Sequence, residues 1–100
     1  MAIEITARHL RINESQQEFA RGKAEHLVAE FPKVENVHVV LDVQRHQFTA
    51  EFVVQHKALA QIEAKEVCDD LMAGIDLAYE KVDKQLRKHR EKVVESRHQR

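Results

Sequence analysis

Residues 37–64, VHVVLDVQRHQFTAEFVVQHKALAQIEA, decide the fold, because apolar and polar side chains alternate through them in three successive sets. Val37, Val39, Leu41 and Val43 alternate with His38, Val40, Asp42 and Gln44, the period-2 signature of a strand with one buried face. Phe48, Ala50, Phe52 and Val54 form the inward set of the next strand, and Ala58, Ala60, Ile62 and Ala64 that of a third. The intervening Arg45-His46-Gln47 and His56-Lys57 lack the Asn-Gly or Asp-Gly pairs that favour tight hairpins, so register is the least constrained feature there.

Upstream, Ile3-Glu4-Ile5-Thr6-Ala7 alternates in the same way and adds a strand. Asn13 can cap a first helix, with Gln16 placed to reach back as in a capping box. The helix is expected from about Glu14 to Phe31, with Ala20, Ala24, Leu27, Val28 and Phe31 inward and Phe19 at the edge. Pro32 ends it by disfavouring helical geometry at Phe31. Downstream, Asp69 or Asp70 offers an N-cap, and Leu71, Ile75, Ala78, Val82, Leu86 and Val93 form the apolar stripe of a long final helix. The expected class is α+β, ordered β-α-β-β-β-α, with a four-stranded sheet and two helices packed on one face. The first two strands, joined through a helix, are expected to be parallel, and the last three to form an antiparallel meander.

One hundred residues suit one domain, here expected over 1–94 with a frayed tail at 95–100. No apolar run approaches the roughly 20 residues of a membrane span, and the N-terminus lacks the basic and apolar pattern of a secretory signal. The lone Cys68 has no partner for an internal disulfide, which suits a reducing cytoplasm. The expected localisation is therefore cytoplasmic.

The net charge of −1 conceals an asymmetry: residues 1–80 carry a net of −6 and residues 81–100 a net of +5. On the final helix Lys81, Lys84, Lys88 and Lys92 fall away from the apolar stripe, while Arg87 and Arg90 project from its other flank. Cations about one helical turn apart suit successive phosphates of an RNA backbone, and arginine can also stack on an unpaired base. On charge alone, a solvated face with Asp83, Glu91 and Glu95 pairing locally is the simpler reading.

Other chemistries find less support. The seven histidines show no paired zinc-helix spacing, so no metal site is expected, nor any cofactor. Glu66, Asp69 and Asp70 would oppose a thiolate at Cys68. Asp69 and Asp70 read as helix caps, without a nucleophile or phosphate loop to make them catalytic, and the chain is not expected to be an enzyme.

The segment Asp70-Leu71-Met72-Ala73-Gly74-Ile75-Asp76, continuing through residues 80–92, EKVDKQLRKHREK, resembles the short form of the ribosome hibernation promoting factor family, also known through the ribosome-associated inhibitor and protein Y. Ile3-Glu4-Ile5-Thr6 and Val37-His38-Val39-Val40-Leu41 match its first two strands, and Ile12-Asn13-Glu14 stands where the family caps its first helix. Met72 replaces the family's usual aromatic residue, and His26 stands where a lysine is common. The resemblance implies a layout similar to a double-stranded-RNA-binding domain. It also implies a role in stress or stationary phase, on the small ribosomal subunit in the channel for messenger RNA and tRNA, stopping translation by occlusion. Carried over by position, Lys81, Lys84, Arg87, Lys88, Arg90 and Lys92 become the expected rRNA contacts, with Lys23 an addition from the first helix. The expected partner is the small subunit and its rRNA, with no membrane or small-molecule substrate, and the chain is expected to be a monomer off the ribosome. A general structured-RNA-binding module and a protein-interaction domain using the basic helix remain the alternatives.

Overall fold

The computed structural model describes the backbone of residues 2–98 and the side chains of residues 2–89. The chain runs β1 (Ala2–Arg8), α1 (Glu14–Glu30), β2 (Val34–Gln44), β3 (Gln47–His56), β4 (Ala60–Cys68) and α2 (Leu71–His98). The strands lie in the order β1-β2-β3-β4, with β1 parallel to β2 and the others antiparallel, as the alternation and connections predict.

Both helices cover one face of the sheet, α1 over β1 and β2 and α2 over β3 and β4. Val37, Val39 and Leu41 of β2, Ala50, Phe52 and Val54 of β3, and Ile62 and Ala64 of β4 meet Ala20, Ala24 and Leu27 of α1 and Leu71, Ile75, Ala78, Val82 and Leu86 of α2. Phe52 is the bulkiest fully buried side chain and packs edge-on against Tyr79, with ring centroids 6.4 Å apart. The opposite face is open, and cross-strand rows such as Glu4-His38-Val53-Glu63 run across it. On it the Thr6 hydroxyl and His38 Nε2 lie 2.8 Å apart and share a hydrogen bond.

The expected capping box is present: Gln16 N–H donates to Asn13 Oδ1 at 2.8 Å, and Asn13 N–H to Gln16 Oε1 at 3.0 Å. At the start of α2 the cap is Asp70, whose carboxylate accepts from Ala73 N–H at 3.3 Å and whose carbonyl accepts from Gly74 N–H at 3.0 Å.

The register at the β2–β3 hairpin, least constrained by sequence, is now defined, and one local expectation, in β4, needs correction. The hairpin between β2 and β3 is a tight two-residue turn, pairing Gln44 with Gln47, even though its central residues are Arg45 and His46. Their φ angles of 49° and 66° supply the left-handed conformations that Asn-Gly would adopt more cheaply. The inward set of β4 begins only at Ile62. Ala58 and Ala60 are exposed because the chain is still turning there, with Ala60 at φ 64°. No helix among the described residues is long and apolar enough to cross a membrane.

Candidate nucleic-acid interface

The faces of α2 follow from its buried stripe. Leu71, Ile75, Ala78, Val82 and Leu86 point into the core, which leaves one flank toward α1 and the other toward β4 and solvent.

On the α1 side the cations are tied into the structure. Lys23 Nζ sits 3.0 Å from an Asp76 carboxylate oxygen and lies over the rings of Tyr79 and Phe19, 4.8 and 5.2 Å from their centroids. Arg87 donates through Nε to Asp83 at 2.8 Å and through a terminal nitrogen to Glu30 at 2.7 Å, with its guanidinium 5.9 Å from the Phe31 ring centre. The hydrogen bond and charge of Asp83, reinforced by Glu30, push the guanidinium pKa further up. Burial, then the charges of Asp83 and Glu30, likewise raises the Tyr79 phenol, which stays protonated. His26 meets Tyr79 edge-on at 5.9 Å and lies 3.4 Å from Glu30. This flank is a clamp between the helices.

On the β4 side Lys81 pairs with Glu66, and Gln85 Nε2 donates to the Glu63 carbonyl at 3.4 Å. Lys84 and Lys88 are exposed and form no ion pair among the described residues. At about 100° of rotation per residue they share one narrow stripe with Lys81 and Leu77. The expected contacts therefore separate into two classes. Lys84 and Lys88 are open, whereas Lys81, Arg87 and Lys23 are already neutralised by carboxylates. Arg90, Lys92, Val93 and the tail at 95–100 lie outside the residues whose side chains are described.

Leu77 was not among the residues singled out from sequence. It is 43% exposed, at the head of the lysine stripe. The signal was available, since its helical angle places it well away from the buried stripe. The partnerships of Arg87 with Glu30 and Lys81 with Glu66 had no such signal, because those carboxylates are remote in sequence.

Fold and interface together define a small α+β domain whose last helix carries a lysine stripe. The model of the family described as Sigma 54 modulation protein / S30EA ribosomal protein matches residues 3–94. A ribosome hibernation promoting factor from Escherichia coli K12 is 31% identical over 93 residues, covering 93% of this chain and 97% of that one. One from Pseudomonas putida is 28% identical over 92 residues, covering 92% and 89%. Among solved structures, a ribosomal subunit interface protein from Coxiella burnetii superposes with a TM-score of 0.80 at 21% identity, over 91% of this chain and 99% of that one. The N-terminal domain of Thermus thermophilus Protein Y gives 0.77 at 24% identity, over 89% and 99%. The chain belongs to the Sigma 54 modulation protein / S30EA ribosomal protein family.

Proposed function

We propose that this protein is a ribosome hibernation factor of the cytoplasm, which silences translation by lodging against small-subunit rRNA in the messenger RNA and tRNA channel. The relatives' names carry the biological role. The observation that carries the contact surface is the open pair Lys84 and Lys88, held on the outer side of a helix whose inner side is locked into the core.

The mechanism is occlusion by a rigid body and needs no covalent step. Lys84 and Lys88 meet phosphates directly, releasing condensed counterions. Leu77 adds an apolar surface for a sugar or base, and Lys81 joins by exchanging Glu66 for a phosphate. Arg87 and Lys23 set the position of α2 against α1 and reach RNA only at the edge of the contact.

Co-sedimentation with ribosomes at low magnesium and moderate salt tests this reading. Lys84→Glu combined with Lys88→Glu is expected to abolish co-sedimentation while the circular dichroism spectrum and melting temperature stay near wild type. Unchanged co-sedimentation would remove α2 as the contact. Equal competition by unrelated structured RNA would point to a general RNA-binding module.

A further inference from the structure

His56 closes β3 and is a buried polar side chain, only 6% exposed. Its Nδ1 accepts hydrogen bonds from two successive backbone N–H groups, Ala58 at 3.0 Å and Leu59 at 3.2 Å. That nitrogen must therefore offer a lone pair, which leaves the imidazole proton on Nε2. The two bonds draw the chain into the β3–β4 turn. Within it Gln61 N–H donates to the Leu59 carbonyl at 2.8 Å, Leu59 packs on the core, and Ala60 takes its left-handed angle.

The same ring is met edge-on by His89 of α2, with centroids 5.6 Å apart and planes at 83°. Among the described residues, the charged groups facing His56 besides His89 are Lys33 and Glu35. Lys33 and Glu35 come from the segment entering β2, whose Val34 pairs with His56. β4 places Ala60 opposite it. Lys57 follows in the turn after β3 and donates its backbone N–H to the Lys33 carbonyl at 3.0 Å.

We propose that His56 and His89 form a proton-operated latch: with both imidazoles neutral they fasten α2 to the β3–β4 turn, and a proton on His56 releases it. Protonating Nδ1 turns an acceptor into a donor that faces two other donors, so both turn bonds are lost together. It also places a positive charge beside Lys33 and against the His89 ring, with Glu35 only partly offsetting it. Burial first, then His89 and Lys33, holds the His56 pKa below the usual imidazole range, so the latch stays closed near neutral pH. His89 directly follows Lys88, so the latch governs how firmly the open lysine stripe is held. It is a property of the free domain and stands whether or not α2 binds rRNA.

Histidine-detected NMR titration with amide hydrogen exchange on the free full chain tests the latch. His56 is expected to titrate below a histidine in an unfolded peptide. Protection of the Leu59 amide and of the α2 amides around His89, corrected for intrinsic rates, should fall several-fold between pH 7.5 and 5.5. His56→Asn places an amide oxygen where Nδ1 lies, and should keep the turn while making its protection independent of pH. His89→Phe keeps the ring contact without the charge, and should move the His56 titration upward. Ordinary or elevated His56 titration, pH-independent wild-type protection, or the same pH dependence in His56→Asn would each overturn the proposal.

Discussion

Arg45 and His46 hold left-handed angles that non-glycine residues adopt at a cost of roughly 1–2 kcal/mol each, less for histidine than for branched side chains. Replacing them by Asn-Gly should keep the Gln44–Gln47 register and stabilise the domain by about 1 kcal/mol, read as a higher urea midpoint at unchanged slope. Asn13→Ala should act in the opposite direction. It removes the acceptor for Gln16 N–H and should cost about 1 kcal/mol in the same measurement. A Cβ at Gly22 of α1 meets nothing within 4 Å, and one at Gly74 of α2 meets Cys68 Cβ at 3.5 Å and Ala50 Cβ at 3.8 Å, ordinary contact distances. Alanine at either position should raise the melting temperature, by up to about 1 kcal/mol of helix preference each. The caps were legible because Asn13 and Gln16 form a local code. The turn at Arg45-His46 was not, because the tight pairing of its flanking strands overrides what those two residues prefer.

Among the elements, α2 combines a buried stripe, a flank clamped to α1 and an outer stripe of lysines. Its inner and outer sides could be read from periodicity alone, since Leu71 to Leu86 and Lys84 to Lys88 follow from 3.6 residues per turn. The clamp could not, because Glu30 reaches Arg87 only after α1 and α2 come together on the sheet. Arg87→Met should therefore lower the melting temperature more than Lys84→Met, since it leaves the Asp83 and Glu30 carboxylates side by side without their shared cation. Among the strands, the alternation at Ala58 and Ala60 looked continuous with Ile62 and Ala64. The turn organised by His56 uses up those residues, and nothing in the pattern marks a buried histidine as a turn's acceptor.

For the whole molecule, the order of elements and the choice of buried face were both readable, because one face of every strand is apolar and each helix has one stripe to cover it. Phe52 lies at the centre of that single core, and Phe52→Ala should cost about 3–5 kcal/mol, enough to unfold much of a marginally stable domain at 37 °C. Stability should also decline in two stages on acidification. His56 binds a proton more readily unfolded than folded, so its share is complete above the ordinary imidazole range and is lost as pH falls below it. Asp42 is held below the usual carboxylate range by its hydrogen bond with His9 and by the Val43 N–H. Its share is present above that range and disappears at still lower pH, below about 4. Urea unfolding at a series of pH values should resolve both declines, and His56→Asn should remove only the first.

The pairing of Lys81 with Glu66 makes docking on a polyanion a competition between two acids for one ammonium group. On the proposed contact surface Glu66 would be a built-in rival of the phosphate, setting a ceiling on how tightly the domain can hold. Removing the rival's charge with Glu66→Gln should leave Lys81 fully available, tighten ribosome co-sedimentation, and make that binding persist to higher salt than in the wild type.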